Sequence, residues 1–352
     1  MYPATYYYLN DNLNQFPVMK PSIRLIPILL LFFTIQAFGQ TARQVSKVSI
    51  TVSSLAAVLP FYEEVLTFEE VERYEISGVD LQNLLGVPDE DITAQVAVLQ
   101  LGQEQIELIE FINESRQLAP PADARSNDLW FQHIAIVVSD MEAAYRRLRQ
   151  YKAAHVSTAP QTLPDYLPAA AGISAFYFRD SDGHNLELIH FPEGKGNPRW
   201  QQATDRLFLG IDHTAIGISD TGRSATFYQD ILGLKIAGGS ENYGTEQERL
   251  NQVFGAHLLI TGLKARLGFG IEFLEYLAPP GGRPYPADSR PTDLWHWHST
   301  VVVDDAARAY QQLQEANYHF ISNGIINLNN QNTFLVRDPD GHAVLIAGAS
   351  HK

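Results

Sequence analysis

From residue 45 onward the chain reads as short apolar–polar alternations broken by turns and by a few helical stretches. Val48 to Val52 fits a strand, Leu55 to Leu66 a helix, and Ala94 to Leu101 with Ile106 to Phe111 a hairpin. The order then recurs. His133 to Val138 has the β-branched character of a strand, and Asp140 is placed to cap an amphipathic run from Met141 to Tyr151. Ala144, Tyr145 and Leu148 share one face of that run. Two further strands, Ala175 to Phe178 and Leu186 to Ile189, are joined by the turn Asp180-Ser181-Asp182-Gly183. The rest of the chain follows the same plan twice more. The pattern therefore predicts an α+β fold of four βαβββ modules.

Direct repeats support that division. Pro121-Ala122-Asp123-Ala124-Arg125 returns as Pro286-Ala287-Asp288-Ser289-Arg290, 165 residues later, and the same spacing carries Asp128-Leu129-Trp130 onto Asp293-Leu294-Trp295 and His133 onto His298. Phe61-Tyr62 recurs as Phe227-Tyr228, and Phe176 to His184 (FYFRDSDGH) as Phe334 to His342 (FLVRDPDGH). The chain is an internal duplication. Read in sequence order, it divides into a first domain over 40–191 (modules 1 and 2), a linker over 192–206 rich in Gly, Pro and charge, and a second domain over 207–352 (modules 3 and 4).

Residues 1–39 stand outside this scheme. Lys20 and Arg24 precede an apolar run from Leu25 to Phe38 that closes in Ala37-Phe38-Gly39, the layout of a secretory signal peptide after an upstream extension. Pro27 and Gln36 interrupt the run, which is shorter than the ~20 residues of a spanning helix. Cleavage near Gly39, export to a periplasm and no lasting membrane insertion are the expectations. No cysteine occurs, which excludes disulfides, thiolate metal ligands and a cysteine nucleophile. A formal charge of −15 argues against sequence-independent nucleic-acid binding. There is no G-x-S-x-G elbow, and the Gly281-Gly282 loop lacks the lysine of a phosphate cradle. A small molecule and a metal ion are the partners this leaves; a homodimer stays open.

Four modules of this order, with Phe-Tyr-x-x-x-Leu in a helix and Asp-x-Asp-Gly-His before a last strand, resemble the vicinal-oxygen-chelate superfamily of glyoxalases, bleomycin-resistance proteins and extradiol dioxygenases. The resemblance covers nearly all of residues 45–348. It implies that two modules curl into a cup-shaped mixed sheet around one divalent metal, with ligands on the first and last strands of each module. Those positions are Lys47, Glu107, His133 and Glu187 in the first half, and His213, Glu272, His298 and Leu345 in the second. Taking each half as one cup, the resemblance implies a metal site of His213, Glu272 and His298, suited to Fe, Mn, Zn or Co. Glu107, His133 and Glu187 form a second, weaker candidate, because the Lys47 ammonium repels a dication.

On that assignment Leu345 deprives the second half of one of the two glutamates that glyoxalase I uses. The expectation is then an exported metalloenzyme of the dioxygenase or lyase/isomerase sort acting on a small oxygen-chelating substrate. A small-molecule binding protein of the bleomycin-resistance type, without catalysis, is the alternative. Trp295, Trp297, Phe227, Tyr228, Phe269, Phe273 and Tyr276 serve either as ordinary core or as walls of the cup. The Asp-x-Asp-Gly-His segments lack the spread of oxygen ligands of a calcium loop and read as tight turns.

Overall fold

A computed structural model describes residues 41–349 apart from 89, 90, 113, 115, 116 and 329. Residues 1–39, the segment expected to be a signal peptide, lie outside the described residues. Module 1 comprises β1 (Ala42–Val52), α1 (Leu55–Pro60), β2 (Glu69–Ser77), α2 (Val79–Leu85), β3 (Thr93–Leu101) and β4 (Glu104–Ile112). Module 2 comprises β5 (Gln132–Val138), α3 (Met141–Gln150), the short β6 (Ala154–His155) and β7 (Gln161–Thr162), β8 (Ser174–Arg179) and β9 (Asn185–His190). Module 3 comprises β10 (Phe208–Ile218), α4 (Thr221–Ala225), β11 (Lys235–Tyr243), α5 (Thr245–Asn251), β12 (His257–Lys264), the short β13 (Leu267–Gly268) and β14 (Gly270–Ala278). Module 4 comprises β15 (Trp297–Val303), α6 (Ala306–Glu315), β16 (Ile326–Leu328), β17 (Gln331–Arg337) and β18 (Ala343–Gly348). The capping expected of Asp140 is present: its carboxylate accepts from Ala143 N at 2.9 Å.

The four modules form two mixed sheets, as the sequence predicts, but they pair differently. One sheet runs β16-β17-β18-β15-β1-β4-β3-β2 and joins modules 1 and 4. The other runs β11-β12-β14-β10-β5-β9-β8-β6 and joins modules 2 and 3. Each seam is an antiparallel pair of first strands, β1 with β15 and β5 with β10. The division into 40–191 and 207–352 therefore does not describe the cups. The repeat locates the unit of duplication, yet all four first strands carry the same pattern, so nothing in it dictates which two meet. The predicted linker is also more than a tether: Pro198–Gln201 forms a helical turn that sets Trp200 against Asp212 on β10.

Strand alternation separates two environments. Val48, Ile50, Ile134, Ile136, Ile216 and Ile218 turn to one face and join a continuous apolar core with α1, α3 and α6. Lys47, Ser49, His133, Ala135, His213 and Ala215 occupy the opposite face, inside the cups. Phe227, Tyr228, Phe269, Phe273 and Trp297 belong to the apolar core, so core packing is the reading that holds for them. Tyr276 faces the cup interior and belongs to a smaller apolar cluster there, with Leu250 and Leu258.

Candidate metal centre

The cup of modules 2 and 3 brings together His133, Glu187, His213 and Glu272. Two cross-strand rows place them. In one, Glu272 on β14 lies beside Ala215 on β10, which lies beside His133 on β5. In the other, His213 on β10 lies beside Ala135 on β5, which lies beside Glu187 on β9. The alanine in the middle of each row leaves room between the ligands.

His133 Nε2 is 3.0 Å from Glu187 Oε2, and His213 Nε2 is 3.5 Å from the same oxygen and 3.4 Å from Glu272 Oε2. Ligand atoms of His133, Glu187 and His213 all lie within 4.8 Å of one another. Bonds of ~2.0–2.2 Å to a shared ion put neighbouring ligand atoms ~3.0–3.5 Å apart, so these separations fit a divalent cation. The donor set fits as well, with two imidazoles and two carboxylates. Asp212 accepts from His213 Nδ1 at 3.1 Å and from Trp200 Nε1 at 2.8 Å, which fixes the ring and turns Nε2 toward the cluster. A register irregularity between Ile211 and His213 lets Asp212, the preceding residue, reach that ring.

Burial alone pushes the Glu187 carboxyl up, but hydrogen bonds and charge from His133 and His213 outweigh it and hold the group at about 2. Burial also lowers His133, against the pull of Glu187. His213 is driven well above the ordinary histidine range: burial opposes this, and the carboxylates of Glu272, Asp212 and Glu187 overcome it. Glu272 is raised by burial and by its acidic neighbours Asp212 and Glu187, with His213 pulling the other way. Three carboxylates around one imidazole thus create a strongly negative, mostly dry position that attracts a cation.

Beside the cluster lies a cavity of about 120 Å³, open at its mouth. Glu187, His213 and Glu272 line it, with Leu163, Ile173 and Leu258 among its apolar walls. The Glu272 side chain is 29% exposed, so its carboxylate is available to whatever enters.

Of the two predicted sites, neither assembles as written. His298 lies in the other sheet, away from His213 and Glu272, because β15 pairs with β1. Glu107 is likewise absent from the cluster of His133 and Glu187. In the cup of modules 1 and 4 the corresponding rows are Glu107–Ser49–His298 and Lys47–Thr300–Leu345. Lys47 Nζ donates to Glu107, which also accepts from Ser49 Oγ at 2.6 Å and Tyr74 OH at 3.0 Å. Burial pushes His298 down to about 4, so it is neutral beside this ion pair. A lysine and a leucine thus stand where the first cup has a histidine and a glutamate. The loss of a glutamate at Leu345 belongs to this cup and takes nothing from the one holding His213. Asp212 and Trp200 were not singled out from sequence; an acidic residue preceding a ligand histidine was the available signal.

Paired βαβββ modules curled around a two-histidine, two-carboxylate cluster define a cup protein whose cluster could hold a metal ion beside an open cavity. The chain belongs to the Glyoxalase/Bleomycin resistance protein/Dioxygenase superfamily, whose signature matches residues 44–188 and 210–346. It is 32% identical over 167 residues to a 2-epi-5-epi-valiolone epimerase from Actinomyces sp, covering 47% of this chain and 87% of that protein. It is 30% identical over 134 residues to an uncharacterised protein of Bacillus subtilis (strain 168), covering 37% of this chain and 90% of that one. In fold it is similar to glyoxalase I from Zea mays, with a TM-score of 0.57 at 15% identity over 88% of this chain and 93% of the maize chain.

Proposed function

We propose that this protein is a metal-dependent isomerase or epimerase that moves a proton on a carbon next to a carbonyl, in a small substrate with two neighbouring oxygens. The observation that carries this is the pair of carboxylates, Glu187 and Glu272, at one cavity floor beside His133 and His213. A dioxygenase site of the facial-triad kind needs a single carboxylate and leaves more positions open. The 2-epi-5-epi-valiolone epimerase activity of the Actinomyces relative points to the same class, as does the fold of maize glyoxalase I.

His133, Glu187, His213 and Glu272 would hold one divalent ion, which when bound supplies Lewis-acid polarisation of the substrate's oxygens. Trp200 and Asp212 keep the His213 ring in place. The cavity walls exclude water from the reacting carbon. Glu272, whose side chain is 29% exposed against 6% for Glu187, is the carboxylate placed to accept the proton as the C–H bond breaks. Return of that proton by Glu272 to the neighbouring carbon isomerises the carbonyl, whereas inversion of the same carbon takes its proton from a second donor on the opposite face, solvent or the other carboxyl, while Glu272 keeps the first. Either route balances without an added oxidant or reductant.

The test is NMR in deuterium oxide, with protein loaded separately with Zn, Mn, Co or Fe(II), on hydroxyketones including 2-epi-5-epi-valiolone. Loss of the α-proton signal without dioxygen supports the reading. Binding without exchange under every metal would turn it to the non-catalytic alternative, and oxygen-dependent ring cleavage of a catechol to the dioxygenase class. We also propose export, with residues 1–39 acting as a removable secretory signal; recovery of secreted protein beginning at Gln40 would bear this out. No helix among the described residues is long and apolar enough to cross a membrane.

A further inference from the structure

One wall of the cavity carries a chain of buried amides. Asn242 on β11 donates through Nδ2 to Gln247 Oε1 at 3.0 Å, Gln247 donates to Asn251 Oδ1, and Asn251 donates to the Tyr276 hydroxyl. Asn242 is 3% exposed, Gln247 and Asn251 1% each, and Tyr276 5%. The chain leaves one atom over: Asn242 Oδ1 is buried and has no hydrogen-bond partner. Both Asn242 and Gln247 line the cavity that Glu272 and His213 also line.

The other cup supplies an internal control. Across the sheet, Asn242 pairs with Leu258 and Leu258 with Tyr276; in module 1, Ile76 pairs with Ala94 and Ala94 with Phe111. Helices α5 and α2 follow the same strands at the same spacing, so Gln247 corresponds to Leu81 and Asn251 to Leu85. The cup without the ligand set thus has Ile76, Leu81, Leu85 and Phe111 where this one has Asn242, Gln247, Asn251 and Tyr276. Its four residues all belong to an apolar cluster. Burying amides where hydrocarbon packs equally well costs stability, and leaving an acceptor unpaired costs more. Four such replacements that end in one free acceptor on a cavity wall are the mark of a built recognition element.

We infer that Asn242, held in place by Gln247, Asn251 and Tyr276, is the specificity residue of this cavity. Its amide oxygen accepts a hydrogen bond from a hydroxyl that the substrate carries in addition to its two metal-binding oxygens. This rests on the reading of the cavity as the substrate site and narrows it to polyhydroxylated ketones.

The experiment measures calorimetric affinity of the zinc-loaded protein for pentahydroxycyclohexanone and for 2-hydroxycyclohexanone, with deuterium exchange of each followed in parallel. The native protein is expected to bind the pentahydroxy ring at least tenfold more tightly. Asn242→Ile should bring the two affinities within about twofold of each other, and Asn242→Asp, which keeps an acceptor, should retain the preference. Should Asn242→Ile fail to fold, the fourfold change Asn242→Ile, Gln247→Leu, Asn251→Leu, Tyr276→Phe installs the packing of the other cup and carries the same expectation. Equal affinities in the native protein, or an undiminished preference in the variants, would overturn the inference. Absence of exchange in the native protein with the affinity difference intact would sink the isomerase reading and leave the role of Asn242 standing.

Discussion

The Tyr62 hydroxyl donates to Asp180 Oδ2 at 2.9 Å, tying the helical segment of module 1 to the last turn of module 2, two modules that share no sheet. Tyr228 donates to Asp338 at 3.2 Å in the second half. Asp180 Oδ1 also accepts the backbone N–H groups of Asp182 and His184, at 3.0 and 2.9 Å. Asp182 in turn accepts from the backbone and hydroxyl of Ser53 at 2.7 Å each, as Asp340 does from Ser219. The Phe-Tyr and Asp-x-Asp-Gly-His motifs are therefore two sides of one joint. Each sequence half is closed by this joint, while each cup is closed by strands from both halves.

Removing the joint is expected to be costly. Asp180 and His184 are an ion pair with both side chains inaccessible to solvent, 2.8 Å apart. Asp180→Ala leaves His184, Tyr62 and two turn N–H groups without their acceptor, for a predicted loss of roughly 3–5 kcal/mol. Tyr62→Phe removes one neutral donor and should cost about 1 kcal/mol. Urea unfolding of both variants measures the two values, and a smaller loss from Asp180→Ala than from Tyr62→Phe would contradict the assignment.

The pH dependence of stability follows from buried histidines of opposite behaviour. His184 Nδ1 faces Asp180 and its Nε2 faces Leu294 O at 2.6 Å, so both nitrogens must carry protons. Burial lowers its pKa, but Asp180 and the Leu294 carbonyl outweigh this and raise it. An unfolded histidine titrates near ~6.5, so this stabilisation is complete below that pH and is lost as pH rises through the folded value. His298, held at about 4 by burial, does the reverse: as pH falls below ~6.5 the unfolded chain takes up the proton first and stability drops. Stability of the metal-loaded protein should peak near pH ~6.5. His184→Gln should flatten the alkaline limb and His298→Leu should soften the acid limb, read from melting temperatures across pH.

Much of this was legible in the sequence. Alternation marks the strands, the repeats mark four modules, and all eight first- and last-strand positions, Lys47 and Leu345 included, fall in the cross-strand rows of the two cups. The error lay in assigning them to cups. Each half presents a complete-looking set, and choosing between neighbours in sequence and neighbours in the sheet requires the long-range pairing of β5 with β10, which no local pattern encodes. The polar wall was not legible either. Asn242, Gln247, Asn251 and Tyr276 come from three elements, and only their depth in the cup gives them meaning. Asp212 was hidden because alternation should turn it away from His213; the irregularity in β10 turns it back.

Metal content separates the two possible pairings. The native protein should bind one equivalent of zinc. His133→Ala or Glu187→Ala should abolish stoichiometric binding, and His298→Ala should leave it intact. Asp212→Asn, which weakens the hold on the His213 ring without removing a ligand, should lower affinity ~10–100-fold. Competition with a chelator measures each, and loss of metal in His298→Ala would restore the sequence-order pairing.

The second cup offers the converse experiment. Its rows differ from the first at two ligand positions, where Lys47 stands for a histidine and Leu345 for a glutamate, while Glu107 and His298 remain. The Lys47 ammonium already supplies the positive charge that Glu107 needs; the Glu107 carboxyl, which burial alone would push up, is drawn down by Lys47 and by the Ser49 hydroxyl. Lys47→His alone removes the ammonium that repels a dication and leaves a three-ligand set beside an apolar leucine, so it should bind zinc more weakly than the first cup. Adding Leu345→Glu completes two histidines and two carboxylates in the geometry of the first cup. The double variant should bind a second equivalent of zinc. It should gain no exchange of pentahydroxycyclohexanone at the new site, because the wall there is built from Ile76, Leu81, Leu85 and Phe111 rather than from amides. With the first cup silenced by His133→Ala, metal stoichiometry and exchange rate report the new site by itself. Binding of zinc without exchange is the expected pair of results. Exchange at full rate would mean that the ligand set suffices and that the polar wall of the first cup contributes nothing to the choice of substrate.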